Sequence, residues 1–182
     1  MNVALHRAMT VEEYLAWSEG QGERRRTELI NGQVVTMPAE RVLHSRVKGS
    51  AFLALRRAVE VAGLPCEALT DGPAVRIDEH TAYEPDALVY CGAKPAPDSM
   101  LIVNPVIVVE VLSPSTRHSD TSAKLIGYFK LPSVIHYLVL DPDARTVTHH
   151  VRNGVPTLLN GGPLRLHPPG IDVTVEDLLG PL

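Results

Sequence analysis

The sequence has little cysteine, no long apolar run and no excess of positive charge. Its two cysteines, Cys66 and Cys91, are isolated and have no partner at metal-ligand spacing. We therefore expect reduced thiols, as is usual in a reducing compartment. No apolar stretch approaches the roughly twenty residues of a membrane helix, and the N-terminus has no signal-peptide core. A soluble cytoplasmic protein without membrane contact is expected.

The charge balance and the missing motifs exclude several functional classes. A formal net charge of −4 argues against a protein that coats nucleic acid through bulk electrostatics, although a carboxylate-rich nuclease site would itself lower the charge. The sequence has no glycine-rich phosphate loop and no dinucleotide fingerprint. Ser113, Ser115 and Ser119 lie outside a G-x-S-x-G setting, so a hydrolase triad is unsupported. The eight histidines show no metal-type spacing, and His149-His150 is expected on a strand surface.

The sequence does contain the pattern of one globular domain over residues 1–182, with a hydrophobic fraction of 45%. Thr10-Val11-Glu12-Glu13 is a capping box, which predicts a short helix. Asn31-Gly32, between two β-rich runs, predicts a type I′ hairpin. Apolar residues at helical spacing, followed by Gly63, predict a long helix over 40–62.

The rest of the chain alternates between short strands and two further helices. Strands are predicted near residues 26–30, 33–37, 66–69, 74–77, 87–90, 106–112, 135–140 and 146–151. The last of these is expected to pair with the strand at 135–140 or with a short run at 157–159. Helices are predicted over 119–131 and 175–179. This order indicates an α/β or α+β domain with a mixed sheet.

One predicted strand carries a carboxylate in its interior. The run Val106–Leu112, between Pro105 and Ser113-Pro114, is typical of a central strand buried on both faces, and Glu110 lies inside it. Removing an unpaired carboxylate from water costs roughly several kcal/mol, so Glu110 needs a partner, a proton or a metal ion. We favour a functional site. The alternative is a buried ion pair, for example with an arginine.

Asp86 and Lys124 are candidates for such a partner. Asp86 follows Pro85 at the start of the strand at 87–90, where it would offer a hard oxygen ligand to a divalent cation. Taken alone, this dipeptide is also ordinary turn chemistry. Lys124 follows Asp120 by four residues on a predicted helix, which favours a helix ion pair. The functional alternative is that its ammonium orients the attacking water and offsets charge on a phosphate.

Glu28 and His44 are ambiguous from local sequence. Glu28 lies in the first hairpin strand, on the same face as Ile30 and opposite Leu29, so a solvated face fits the pattern as well as a site does. His44, early in the long helix, has three alternatives: it faces solvent, contacts a phosphate or lies against a carboxylate.

Together these segments resemble the Uma-two family, a bacterial group of proposed endonucleases. The resemblance covers roughly residues 10–152. Its most specific part is E-V-L-S-P-S-T at 110–116, followed by D-x-x-x-K-x-x-x-Y. The residues that carry the resemblance are Thr27–Val35, His44, Pro85-Asp86-Ala87, Val109–Ser115, Asp120, Lys124 and Tyr128.

The resemblance implies the restriction-endonuclease-like fold of the PD-(D/E)XK superfamily, a mixed β-sheet flanked by helices with an N-terminal β-hairpin. Asp86 and Glu110 would bind Mg²⁺, for which Mn²⁺ would substitute. Glu28 would be an additional acidic site residue, and Lys124 would be the catalytic lysine.

One departure from the wider superfamily concerns that lysine. The superfamily pattern places it two residues after the acid, where this sequence has Leu112. Lys124 would therefore have to reach the site from the following helix, an arrangement that the family commonly shows. His44 and Tyr128 are candidates for accessory roles in the same site.

The implied function is Mg²⁺-dependent hydrolysis of DNA phosphodiester bonds, in duplex or branched DNA, by a homodimer with one site per strand. RNA as the substrate would use the same site. The alternative is a non-catalytic nucleic-acid-binding or protein-interaction module that retains the fold, with its acids in structural ion pairs. Arg24-Arg25-Arg26 and Arg56-Arg57 are the candidate phosphate contacts, and neutralising the first run is expected to weaken DNA binding at low salt.

Overall fold

The computed structural model describes residues 7–20, 26–113 and 120–181, except for the side chains of residues 120 and 121. Four helices lie in these ranges: α1 (Val11–Gly20), α2 (Val42–Ala62), α3 (Asp120–Lys130) and α4 (Val175–Leu179). All four confirm predicted helices. The capping box of α1 is present, with reciprocal hydrogen bonds between Thr10 and Glu13 of 3.3 and 2.9 Å. In the described ranges, none of the helices has the length and hydrophobicity needed to cross a membrane.

A mixed six-stranded sheet forms the centre of the fold. In spatial order its strands are β11 (Thr157–Leu159), β10 (Thr146–Val151), β9 (His136–Asp141), β8 (Pro105–Val111), β6 (Ala87–Cys91) and β3 (Cys66–Thr70). Strand β8 runs parallel to β9 and antiparallel to β6, and its interior position confirms the predicted central strand. Strand β10 pairs with both β9 and β11, so both predicted alternatives are realised.

A second sheet contains the predicted hairpin. In spatial order its strands are β2 (Gln33–Thr36), β1 (Thr27–Ile30), β5 (Thr81–Tyr83), β4 (Ala74–Asp78) and β7 (Leu101–Ile102). Asn31 and Gly32 have φ values of 50° and 76°, the left-handed pair that a type I′ turn requires. A separate two-stranded sheet joins β12 (Pro163–Leu166) to β13 (Ile171–Thr174). Strands β5, β7, β12 and β13 were not predicted. Strands β5 and β7 have three and two residues, too few to show alternation, whereas β12 and β13 do alternate and could have been recognised.

The alternation of side chains along β8 decides where Glu110 points. Ile107, Val109 and Val111 lie in a core formed with α2 and α4. Val108 instead lies in a core that includes residues of α3 and of the five-stranded sheet. Because successive side chains of a strand point to opposite faces, Glu110 shares the face of Val108 and is directed toward α3.

The two cysteines form a disulfide, which corrects the expectation of reduced thiols. Cys66 of β3 and Cys91 of β6 are register partners on adjacent antiparallel strands. Their Cα atoms are 3.9 Å apart and their sulfurs are bonded at 2.00 Å. The cysteines are separated by 25 positions in the sequence, and only the register of the sheet brings them together. Isolation in the sequence therefore gave no signal of the pairing.

His149 is buried, which corrects the expectation of a surface residue. It is 7% exposed, and its Nε2 lies 2.9 Å from Nδ1 of His136 on the neighbouring strand. Nε2 of His136 in turn lies 2.8 Å from the carbonyl oxygen of Pro168. Pro168 belongs to the connection between β12 and β13, so a later part of the chain covers this face of β10. The polar composition of that strand alone does not reveal the cover.

Candidate functional site

A lysine and two carboxylates from distant parts of the chain meet on the α3 side of the central sheet. Nζ of Lys124 donates to Oε1 of Glu28 over 2.9 Å and to both carboxylate oxygens of Glu110 over 3.1 Å. Glu28 belongs to β1, Glu110 to β8 and Lys124 to α3. Their side chains are 2%, 13% and 6% exposed, respectively. We call these three residues the Lys124 cluster.

The close approach of α3 to β5 allows helix residues to reach this cluster. Tyr128 lies one turn after Lys124, and its hydroxyl donates to Oε1 of Glu110 over 2.7 Å. Its ring packs edge-on against Tyr83 of β5, with centroids 5.3 Å apart. Gly127 permits this contact, since a Cβ atom there would lie 2.6 Å from Cε2 of Tyr83. The small residue therefore lets α3 present Lys124 and Tyr128 to the acid.

Asp86 lies between the Lys124 cluster and a second group of charges. It immediately precedes β6, is 3% exposed, and accepts a 2.7 Å hydrogen bond at Oδ2 from the N–H of Val111. Its Oδ1 lies 3.3 Å from Nε2 of His44 and 3.4 Å from Nη2 of Arg26. Because Val111 follows Glu110 on β8, the backbone hydrogen bond holds Asp86 beside the strand that carries Glu110.

The second group, which we call the Arg26 cluster, consists of two cations and four carboxylates: Arg26, Lys48, Glu40, Asp71, Glu84 and Asp86. The guanidinium of Arg26 pairs with Glu40, and its Nε lies 3.4 Å from Glu84 and 3.7 Å from Asp71. Nζ of Lys48 lies 2.8 Å from both Glu40 and Asp71.

The two clusters also touch directly. The backbone N–H of Glu84 donates to Oε1 of Glu28 over 2.9 Å. Burial raises the pKa of Glu84, an effect that Arg26 opposes and that the charges of Asp71 and of Glu28, a member of the Lys124 cluster, reinforce. The protonation of one cluster is therefore sensitive to the charge of the other.

Glu110 and Asp86 have pKa values shifted in opposite directions. Burial raises the pKa of Glu110 to about 8, opposed by Lys124 and reinforced by the charges of Asp86 and Glu28. For Asp86, burial favours the protonated form, but the contacts with His44, the backbone and Arg26 outweigh it and lower the pKa. Two carboxyl groups whose environments separate their pKa values in this way are typical of a site that binds cations or transfers protons.

The donor set fits a divalent cation. Within the described ranges, the two clusters contain six carboxylates and only three cationic side chains. Oε2 of Glu28 is buried and accepts no hydrogen bond from this part of the chain. One ligand atom from each of Glu40, His44 and Asp86 lies within 4.8 Å of the others. Hard oxygen donors with excess negative charge suit Mg²⁺ or Mn²⁺, and an imidazole nitrogen suits Mn²⁺ better.

The structure brings together the six residues that the sequence singled out, namely Glu28, His44, Asp86, Glu110, Lys124 and Tyr128. Of the alternatives left open, His44 lies against a carboxylate and Glu28 is buried instead of solvated. Within the ranges that the structure describes, the ion-pair partner of Glu110 is a lysine, Lys124. The catalytic roles of these residues stay predictions.

Some predicted features lie outside the described residues. These are the side chain of Asp120, and with it the predicted helix pair with Lys124, together with Ser115, Ser119, Arg24 and Arg25.

The Arg26 cluster is largely missing from the sequence predictions, where Arg26 is only a candidate phosphate contact. Part of the Arg26 cluster could have been recognised from the spacing of residues in the sequence. Arg26 lies two positions before Glu28 and so shares its strand face. Glu40, His44 and Lys48 recur every four residues in the helix predicted over 40–62, a spacing that places them on one side of a helix; in the structure α2 begins at Val42, two residues after Glu40. The remaining acids, in the connections between strands, follow no pattern.

Comparisons with known proteins identify relatives over most of the chain. The model of the Uma2 family, described as “Putative restriction endonuclease”, matches residues 11–176. The uncharacterized protein slr1290 of Synechocystis sp. is 30% identical over 146 residues, which cover 80% of this chain and 75% of that protein. The uncharacterized protein sll1609 of the same organism is 27% identical over 157 residues, covering 85% and 86%, respectively.

A solved structure has the same fold. The crystal structure of a “putative nuclease belonging to DUF820” from Anabaena variabilis matches with a TM-score of 0.71, over 94% of this chain and 97% of that one. The two sequences are 16% identical, so the similarity concerns the fold. It confirms the predicted restriction-endonuclease-like mixed sheet flanked by helices.

Proposed function

The chain belongs to the Uma2 family, described as putative restriction endonucleases, and we propose that it is a Mg²⁺-dependent endonuclease that hydrolyses DNA phosphodiester bonds. The observation that supports this most directly is the Lys124 cluster. A lysine from α3 reaches Glu28 and Glu110 although the position two residues after the acid is Leu112. The acids and the lysine that the chemistry requires are therefore together.

The carboxylates would hold the cation. Asp86 and Glu110 are the proposed ligands, with Glu28 as an additional acid whose Oε2 has no other partner within the described ranges. Bound Mg²⁺ would activate water at neutral pH and stabilise the charge that develops on the phosphate. The N–H of Val111 fixes the orientation of Asp86. Because burial raises the pKa of Glu110 to about 8, this acid would release a proton on binding.

Lys124 and Tyr128 would complete the site. The ammonium of Lys124 is held between two carboxylates, where it is oriented to position a water molecule or to offset charge on the phosphate. The hydroxyl of Tyr128 donates to Oε1 of Glu110 and so restricts rotation of that carboxylate. Both side chains are supplied by α3, so the position of this helix controls the reaction.

The proposed substrate is DNA, as a duplex or as a branched structure. A homodimer with one site per strand would cut both strands of a duplex in a single binding event. The substrate of a nuclease carries one phosphate per strand at every base step, so affinity for it should fall steeply with salt.

The first experiment is a cleavage assay with plasmid, linear duplex and branched DNA in Mg²⁺, in Mn²⁺ and in EDTA. We expect cleavage that EDTA abolishes and that Asp86→Asn lowers by roughly a hundredfold or more. Asp143→Asn is a matched control, because that acid lies at the surface and pairs with Arg41. Cleavage by the Asp86 variant at the wild-type rate would contradict the proposal.

A non-catalytic binding module is the second candidate, since every carboxylate of the two clusters also has a cationic neighbour. In that case the acids are structural counter-ions. Asp86→Asn would then lower thermal stability without changing Mn²⁺ binding. A site for a cation would instead lose Mn²⁺ affinity in the same variant.

A further inference from the structure

We propose that Arg26 neutralises the metal-free site, that it leaves Asp86 when a divalent cation binds, and that the released guanidinium contacts the DNA phosphate. This inference rests on the proposed function and adds a residue to it. Arg26 is not one of the acids or the lysine that carry the resemblance. In the structure its guanidinium contacts Asp86, the carboxylate whose pKa is lowered.

The position of Arg26 brings its side chain to the site while its backbone stays fixed. Its carbonyl oxygen accepts a 2.8 Å hydrogen bond from the N–H of Met37, so the residue extends the pairing of β1 with β2. Two positions later, Glu28 points from the same strand face into the Lys124 cluster. Only the side chain of Arg26 therefore needs to move.

Arg26 contacts the more weakly held oxygen of Asp86. Oδ2 of Asp86 accepts a short hydrogen bond from the N–H of Val111 at 2.7 Å, so Oδ1 is the oxygen that a cation reaches with less competition. The contacts to Oδ1, from His44 at 3.3 Å and Arg26 at 3.4 Å, are long for hydrogen bonds. A divalent cation carries twice the charge of the guanidinium, and Mg²⁺ approaches a carboxylate oxygen to about 2.0–2.1 Å. Replacement at Oδ1 is therefore favoured by charge and by distance.

Arg26 is also the cation best placed to leave. Its side chain is 27% exposed, whereas those of Lys48 and Lys124 are 10% and 6% exposed. Charge repulsion from a bound cation would direct the guanidinium toward solvent. A planar guanidinium binds phosphate through two parallel hydrogen bonds, so the released group would add to substrate binding. The same residue thus opposes metal binding and favours DNA binding.

Replacing Arg26 should therefore change the affinity for metal and the affinity for DNA in opposite directions. Mn²⁺ affinity is measured by electron paramagnetic resonance of the free ion, without DNA, and DNA affinity by anisotropy of a labelled duplex in Ca²⁺. We expect Arg26→Gln to bind Mn²⁺ on the order of tenfold more tightly, and to bind the duplex several-fold more weakly than wild type. Arg26→Lys, which keeps the charge that the fold requires, should show a smaller gain for Mn²⁺ of about threefold.

Lys48→Gln is the matched control. It removes a cation from the same cluster, but Nζ of Lys48 is 3.9 Å from Oδ1 of Asp86 and bonds to Glu40 and Asp71 instead. Its gain in Mn²⁺ affinity should stay below about threefold. An equal gain in both glutamine variants would mean that only net charge matters, and this would overturn the proposal.

The possible results distinguish a failure of this inference from a failure of the proposed endonuclease function. The wild type could bind Mn²⁺ and cleave DNA while neither Arg26 variant gains Mn²⁺ affinity. That result would contradict the proposed role of Arg26 and support the proposed nuclease function. If the wild type binds no Mn²⁺ at millimolar concentration, both are wrong. A gain in Mn²⁺ affinity with unchanged DNA affinity would overturn the phosphate contact and leave the displacement supported.

Discussion

Nζ of Lys124 lies 2.9 Å from Oε1 of Glu28, so a buried ion pair joins α3 to β1 across 96 positions of sequence. The same ammonium contacts Glu110 on β8. A single lysine thereby connects a helix with strands of both large sheets. Any change that moves α3 should alter the site and the packing together.

Removing the ammonium should cost both activity and stability. Lys124→Met keeps most of the apolar stem but removes the ammonium that contacts both Glu28 and Glu110. Loss of one partner from a buried ion pair typically costs about 3 kcal/mol or more, measured here by urea unfolding at pH 7.5. Cleavage in Mg²⁺ should fall by roughly 10²–10³-fold. Lys130→Met is the control on the same helix, because that side chain is 55% exposed and pairs with Asp78.

The packing of α3 can be tested without touching a charged residue. Gly127→Ala places a Cβ atom 2.6 Å from Cε2 of Tyr83, a buried ring that has little room to move. In an open helix this change stabilises by up to about 1 kcal/mol. Here we expect a loss of stability and of cleavage, since α3 must shift and carry Lys124 with it.

Gly49 provides the comparison, since a Cβ atom there meets nothing within 4 Å. Gly49→Ala in α2 should raise the unfolding midpoint and leave cleavage unchanged. If Gly127→Ala behaved in the same way, the close approach of α3 to β5 would have no functional importance.

The parts of the fold that could be predicted are those with local chemistry. The capping box begins α1, Asn31-Gly32 turns the hairpin, and Gly63 ends α2 in the left-handed conformation. Glu110 could be identified because a carboxylate conflicts with its apolar strand. In each case the signal lies within a few residues of the feature.

The parts that could not be predicted depend on tertiary register. The pairing of Cys66 with Cys91 follows from β3 and β6 being neighbours, which neither sequence segment encodes alone. Lys124 was a candidate partner of Glu110 from the sequence and from the resemblance, but its reach to the site depends on the helix packing at Gly127. The position of Arg26 in the site depends on four carboxylates from three separate connections. Long-range electrostatic contacts of this kind leave no periodic pattern.

Tyr128→Phe should change how metal binding depends on pH. The hydroxyl donates to Oε1 of Glu110, and this hydrogen bond lowers a pKa that burial has raised to about 8. Without it the pKa of Glu110 should rise further, so this acid would need a higher pH to lose its proton. The pH at which Mn²⁺ affinity is half-maximal should increase by up to about one unit.

Tyr90→Phe is the control for that experiment, because its hydroxyl donates to Glu67, outside both clusters. It should leave the pH dependence of Mn²⁺ affinity unchanged. An unshifted profile for Tyr128→Phe would mean that the hydroxyl does not act on the metal-binding form of Glu110.

The buried pair of His136 and His149, which belongs to neither charged cluster, should make the fold sensitive to acid. Burial lowers the pKa of His149 from 6.5 to about 4, with further lowering by His136 and His150. In the unfolded chain the imidazole takes a proton near pH 6.5, whereas in the folded protein it stays neutral until about pH 4. Its contribution to stability is therefore present above pH 6.5 and is lost as the pH falls toward 4.

Thermal unfolding of wild type and His149→Gln between pH 7.5 and pH 4 measures this contribution. Glutamine does not titrate, so the variant should lose less stability on acidification, by on the order of 2 kcal/mol over the range. At pH 7.5 the variant should be the less stable protein, because it disturbs the hydrogen bond to His136. His80→Gln, a substitution near the surface, should follow the wild-type curve. Parallel curves for wild type and His149→Gln would show that the imidazole does not stay neutral in the folded protein.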